Sequence, residues 1–182
     1  MKISVIFGLL ILLIDRLVKI LILNHFTLGE VRSFLPGILQ LTYARNTGMA
    51  FGFLGGHQWI PLVLTPLILI GLGILLVKKM FPCPVCRMGL VAVMAGGLSN
   101  WVDRIAYGYV VDMFEFTFIR FAVFNVADIF ITVGGIVFLV AYFLAEARAM
   151  KAKETEQTEE VEEQEAQEEA EEQPEQAEPT SE

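Results

Sequence analysis

Four apolar runs punctuate the first 150 residues, and each is a candidate for a membrane-crossing helix. The first extends from about Ile3 to Leu23 and is interrupted by Asp15, Arg16 and Lys19. The second, Trp59 to Val77, contains no charge. The third runs from about Met88 to Val102 and stops at Asp103, and the fourth, about Asn125 to Ala145, has Asp128 near its start. Between them the pattern changes. Ile38–Ala44 partly alternates apolar and polar positions and Tyr107–Phe116 is aromatic and β-branched, so both predict short strands. Asn46-Thr-Gly-Met-Ala-Phe-Gly52 predicts a tight turn with close backbone approach. The expected fold is a four-helix membrane domain over residues 1–150 with a small β element from the outer connections.

The charges flanking these runs orient them. Lys78, Lys79 and Arg87 lie between the second and third runs, Lys2 precedes the first, and Arg148, Lys151 and Lys153 follow the fourth. Cytoplasmic loops carry the excess of Lys and Arg, so both termini are expected in the cytoplasm. The third run then travels outward and the fourth inward, which places Asp103 and Asp128 at one depth near the outer face. The amino terminus begins like a signal peptide, but charges follow its apolar run and no small-residue cleavage site does, so a retained helix is expected.

Composition sharpens this division. The 182 residues are 55% hydrophobic with a mean hydropathy of +0.60, and the net charge of −8 is unevenly held. Residues 151–182 contain 14 Glu and 2 Lys, leaving a mildly basic body. This tail has almost nothing apolar to bury and is expected to be disordered, with a polar single helix over Glu154–Gln173 as the alternative.

The candidate chemistry sits in the carboxylates. An ionised group within a bilayer costs about 2.5–3.5 kcal/mol at a helix centre, so each one asks for a reason. Asp103 and Asp128 each follow an asparagine by three residues, Asn100 and Asn125, which puts each pair on one helix face. Two carboxylates that approach closely cannot both ionise, and such a pair can activate a water. The competing reading is a helix-end carboxylate satisfied by Arg104 or by backbone N–H groups, and for the asparagines helix capping. Asp15 and Lys19, at i,i+4, read as an ion pair. Gly96, Gly97, Gly134 and Gly135 read as sites of close helix packing. Cys83 and Cys86 have no second pair to complete a zinc site, and neither a cofactor, a metal nor a nucleic-acid patch is expected.

Five blocks in order across residues 1 to about 146 resemble the signal peptidase II family, the bacterial lipoprotein signal peptidases. They are Asp15-Arg-Leu-Val-Lys19, Asn46-Thr-Gly-Met-Ala-Phe51, Gly96-Gly-Leu-Ser-Asn100-Trp-Val-Asp103-Arg104, Val110-Val-Asp112-Met-Phe114 and Phe121-Ala-Val-Phe-Asn125-Val-Ala-Asp128. The resemblance implies a membrane aspartic endopeptidase of the bacterial cytoplasmic membrane, working as a monomer near the extracytoplasmic face. It implies removal of the signal peptide from diacylglyceryl-modified prolipoproteins, with membrane lipid as a partner, and sensitivity to globomycin. It also implies Asp103 and Asp128 as the catalytic pair, with Asp15, Asn46, Asn100, Arg104 and Asn125 lining the site. Arg16, Ser99 and Ala122 depart from the family pattern, where Gln, Gly and Pro are usual. Ser99 is expected to alter backbone approach to the substrate. The alternative function is a small transporter or ion-conducting protein using intramembrane carboxylates.

Overall fold

The computed structural model describes residues 2–48, 59–81 and 83–172. Among them are four helices and three strands: α1 (Lys2–His25), β1 (Val31–Leu35), β2 (Leu39–Asn46), α2 (Trp59–Val77), α3 (Pro84–Tyr107), β3 (Val110–Phe116) and α4 (Val126–Glu172). The chain divides into two units, Met1–Tyr142 and Phe143–Glu182. The second is helical as far as Glu172. Pro174 and Pro179 lie outside the described residues.

Three helices are long and apolar enough to cross a membrane: α2, α3 and the first part of α4, Val126–Thr158. In α1 Asp15 and Lys19 fall on one buried stripe. Gly8, Ile11, Asp15, Lys19 and Ile22 are buried at intervals of three and four, the period of one helical face. The opposite face exposes Leu9, Leu10, Leu13, Ile14 and Leu17. Polar side chains face inward and apolar ones outward, the reverse of a water-soluble helix.

α3 is longer than the hydropathy of Met88–Val102 indicates, because local signals outside the apolar run set its ends. Cys83 caps the start, its Sγ accepting from the Cys86 N–H at 3.1 Å, and Pro84 occupies the first turn. Gly108 closes the helix in the left-handed region (φ 75°), its N–H donating to the Arg104 carbonyl. Asp103 therefore lies one turn inside α3 rather than at its end.

Small residues let α3 and α4 approach. A Cβ on Gly96 would stand 2.5 Å from the Ala127 carbonyl oxygen, and one on Gly134 would stand 2.7 Å from the Ala92 methyl. Gly97 and Gly135 have ordinary space around them, so only half of the expected glycine contacts are tight. This approach brings Asn100 of α3 within reach of Asp128 of α4.

The sheet has order β1-β2-β3 and is antiparallel throughout. β2 and β3 match the predicted strands within two or three residues, while β1 was not predicted. Its signal is Pro36-Gly37: Gly37 takes φ 77° and the Ile38 N–H returns to the Leu35 carbonyl, a type II arrangement. Every residue of β1 is exposed, so no alternation marks it. Beneath the sheet, Ile22 of α1 packs with Tyr43, Val111 and Met113. That core fixes β3 over the end of α1, and a bulge between Leu41 and Ala44 of β2 puts Ala44 opposite Asp112.

Candidate active site

The start of α4 supplies the first carboxylate. Asn125 and Asp128 form a reciprocal cap: the Asp128 N–H donates to Asn125 Oδ1 (3.0 Å) and the Asn125 N–H donates to Asp128 Oδ2 (3.1 Å). Their three-residue spacing is thus a capping box. The other Asp128 oxygen accepts from Asn100 Nδ2 at 2.8 Å. Half-buried, Asp128 lines a cavity of about 450 Å³ together with Asn46, Asn100, Arg104 and Asp112. The remaining wall is apolar, with Phe116, Phe124, Ile129 and Val133.

Asp112, from β3, is the second carboxylate in that cavity. It accepts from Asn125 Nδ2 at 2.6 Å and from Asn46 Nδ2 at 2.9 Å. Burial, reinforced by the nearby Asp128 charge, pushes its carboxyl up to about 7, against the opposing pull of the two asparagine donors. One carboxyl that keeps its proton well above the usual carboxylate range, beside a second in the same cavity, can supply one ionised and one neutral group, the set needed to activate a water and to donate a hydrogen bond.

Asp103, the expected partner of Asp128, does not share its cavity. It is fully buried. Its Oδ2 meets Lys19 Nζ at 2.7 Å, and its Oδ1 meets the Arg16 guanidinium at 2.7 Å as an ion pair without an aligned hydrogen bond. Two cations neutralise it and leave it no reactive face. Asp15 is likewise not a lining residue. It is fully buried, paired with Lys19 at 2.8 Å, and it accepts from the Ala127 N–H at 2.8 Å, so it holds the amino-terminal end of α4. Ser99 donates to the same carboxylate at 2.6 Å, which turns its hydroxyl toward α1 and away from the cavity.

Lys19 also sets the polarity of Asn100. Its Nζ donates to Asn100 Oδ1 at 2.8 Å, and Asn125 Nδ2 donates to the same oxygen at 3.1 Å. With its oxygen committed to two donors, Asn100 must present its NH2 to Asp128. Asn125 is fully buried and acts through both carboxylates. Arg104 bridges two backbone carbonyls, those of Asn100 (3.1 Å) and Gly48 (3.0 Å). The Gly48 N–H in turn donates to Asn46 Oδ1, closing the first part of the predicted turn. Met49–Gly52, the rest of that turn, lies outside the described residues.

Asp112, the second carboxylate lining the cavity and not among the expected site residues, stands in the sequence as a charge inside the strand Val110-Val-Asp-Met-Phe114. Nothing local separates it from Asp103. Among the described residues no three His, Cys, Asp or Glu side chains group as metal ligands. Cys83 and Cys86 are free thiols occupied with the start of α3.

The model of the family described as signal peptidase (SPase) II matches residues 7–144. A lipoprotein signal peptidase of Streptococcus pneumoniae is 45% identical over 133 residues, covering 73% of this chain and 87% of its own. That of Streptococcus pyogenes serotype M1 is 39% identical over 138 residues, 75% of this chain and 90% of its own. Among solved structures, a bacterial membrane enzyme determined by the in meso method at 2.3 Å superposes with a TM-score of 0.76 at 27% identity, covering 81% of this chain and 92% of that one. Another, at 1.9 Å, gives 0.71 at 28% identity over 78% and 92%.

Proposed function

Because the chain belongs to the signal peptidase II family, and is thereby a membrane protease that cleaves signal peptides from prolipoproteins, we propose that Asp112 and Asp128 are its catalytic pair. The observation that carries this reading is that both carboxylates open onto one cavity, whereas Asp103 is held by Lys19 and Arg16. The ionised member of the pair takes a proton from a water whose oxygen attacks the scissile carbonyl carbon. The neutral member donates a hydrogen bond to the developing oxyanion. As the peptide bond breaks, the amide nitrogen leaves with a proton drawn from the pair. Asn100 and Asn125 hold the two carboxylates in register, Asn46 holds the outer oxygen of Asp112, and Arg104 ties the Asn46–Gly48 turn to α3.

The pair titrates as a unit and needs one proton. With Asp112 raised to about 7, that proton is present below about pH 7 and lost above it. A kcat/KM profile is expected to fall on its alkaline limb with a midpoint near 7, and a profile still level at pH 9 contradicts the assignment.

The substrate is a prolipoprotein whose cysteine already carries a diacylglyceryl group, cut just before that cysteine. The apolar wall of the cavity, on the α4 side, suits a lipid-bearing residue. Four spans follow if α1 joins α2, α3 and α4, and its inward pairing of Asp15, Arg16 and Lys19 removes the obstacle that its charges pose. The Lys and Arg clusters then put both termini in the cytoplasm and the site near the outer face of the bacterial cytoplasmic membrane. Every catalytic group comes from one chain, which suits a monomer in contact with membrane lipid. The test uses purified enzyme in detergent with a diacylglyceryl-modified prolipoprotein and its unlipidated form. Cleavage of the lipidated form alone is expected, and equal cleavage of both removes the lipid requirement.

A further inference from the structure

Beside the cavity that holds the carboxylates lies a second, of about 550 Å³, and the two share Asn46, Asp112 and the segment 121–123 as a common wall. Their other walls differ in character. The first is closed by apolar side chains of α4, the second by Ala44 and Ile119 together with the charged side chains of Arg45, Glu115 and Arg120. Arg45 is exposed but held in place: its guanidinium lies 4.7 Å over the Tyr109 ring, and its Nε donates to the Tyr43 hydroxyl. Arg120 is exposed and makes no hydrogen bond or ion pair among the described residues. The Glu115 carboxylate is engaged by Gln40 Nε2 at 2.9 Å.

A signal peptide and a lipid-modified residue belong to the bilayer, whereas the chain beyond that residue is the exported, water-soluble part. The lipid-bearing cysteine is the first residue beyond the cut, so the polarity of the substrate changes just after it, and walls of different character are called for on either side of that step. Two cavities meeting at Asp112 supply them. Resting on the peptidase reading above, we infer that the second cavity receives the residues that follow the lipid-bearing cysteine, and that Arg45 and Arg120 favour acidic residues there. An extended segment advances about 3.3 Å per residue, so residues two to four after the cut are the ones offered to the two guanidinium groups.

The test compares three diacylglyceryl-modified prolipoprotein peptides that carry Asp, Asn or Lys at those positions, cleaved by the full-length enzyme in detergent. The kcat/KM ratio of the Asp over the Lys peptide is expected to be about fivefold at low salt, the size of an exposed charge interaction. It should approach one at about 1 M salt, where charges are screened within about 3 Å. In Arg120→Glu the ratio should fall below one, and because it compares two substrates of one enzyme, a general loss of activity cancels. A wild-type ratio of one, or a ratio that survives both salt and the substitution, overturns the subsite. Cleavage of the Asn peptide in that case leaves the peptidase reading standing. Failure of the wild-type enzyme to cut the Asn peptide overturns both.

Discussion

Asp112→Asn and Asp128→Asn should each lower kcat/KM for prolipoprotein cleavage by about 10²–10⁴-fold, the range for losing a positioned acid or base. Their folds should remain intact. The amide is nearly isosteric with the carboxyl but can neither take the water's proton nor return it. Asp103→Asn should behave in the opposite way. It leaves the cavity untouched and removes one of the two acids paired with Lys19 and the acid paired with Arg16. Its main effect should be a lowered unfolding temperature, with activity per folded molecule within about tenfold of wild type, since positioning effects are smaller than loss of the reacting group. Thermal unfolding and cleavage measured on the same detergent preparations separate the two patterns. Loss of activity in well-folded Asp103→Asn together with an active Asp112→Asn would sink the assignment of the pair.

Lys19→Met should be the most destabilising single substitution in the body of the protein. Lys19 is fully buried, and its ammonium contacts Asp15, Asp103 and Asn100 at 2.7–2.8 Å. Removing one partner of a buried ion pair costs about 3–5 kcal/mol, because the charge left behind has no water to return to. For a domain of this size that is on the order of 10 °C in Tm. Here Asp15 keeps Ser99 and the Ala127 N–H, and Asp103 keeps Arg16, so both carboxylates lose their shared cation without being fully orphaned. Adding Asp15→Asn should therefore recover part of the loss, and the coupling in that double-mutant cycle measures the pair directly. A Lys19→Met protein within about 0.5 kcal/mol of wild type, the usual span of an inert surface change, would show that the network does not hold α1 to α3 and α4.

The same contacts explain how Arg16 and Ser99, both departures from the family pattern, fit this chain. Each adds a partner to a carboxylate that Lys19 already serves, Arg16 a second cation to Asp103 and Ser99 a hydrogen-bond donor to Asp15. The network is charge-balanced in consequence, with Asp15 and Asp103 facing Lys19 and Arg16. A family position that usually carries Gln carries here a guanidinium with a buried acid to meet.

Helix positions were readable along the chain because they depend on local quantities. The uncharged run Trp59–Val77 is α2 residue for residue, the run Met88–Val102 lies within α3 (Pro84–Tyr107) although shorter than it, and α4 starts beside Asn125, one residue from its expected position. The Asp15–Lys19 pairing was legible too, since i,i+4 neighbours meet on any helix. Strand β1 escaped because all its side chains are exposed and only the Pro36-Gly37 turn betrays it. Which second carboxylate shares a cavity with Asp128 was beyond local reading altogether. Asp103 and Asp112 are both buried acids in apolar surroundings, nine residues apart, each within a family block. What separates them is which groups converge from elsewhere: cations of α1 upon Asp103, amides of Asn46 and Asn125 and a cavity upon Asp112. Helices and caps follow from short-range hydrogen bonding and hydropathy, which the sequence by itself determines. Whether a buried carboxylate is neutralised or left to react depends on charges within about 4 Å, and only the packing of α1, β3 and α4 decides which charges those are.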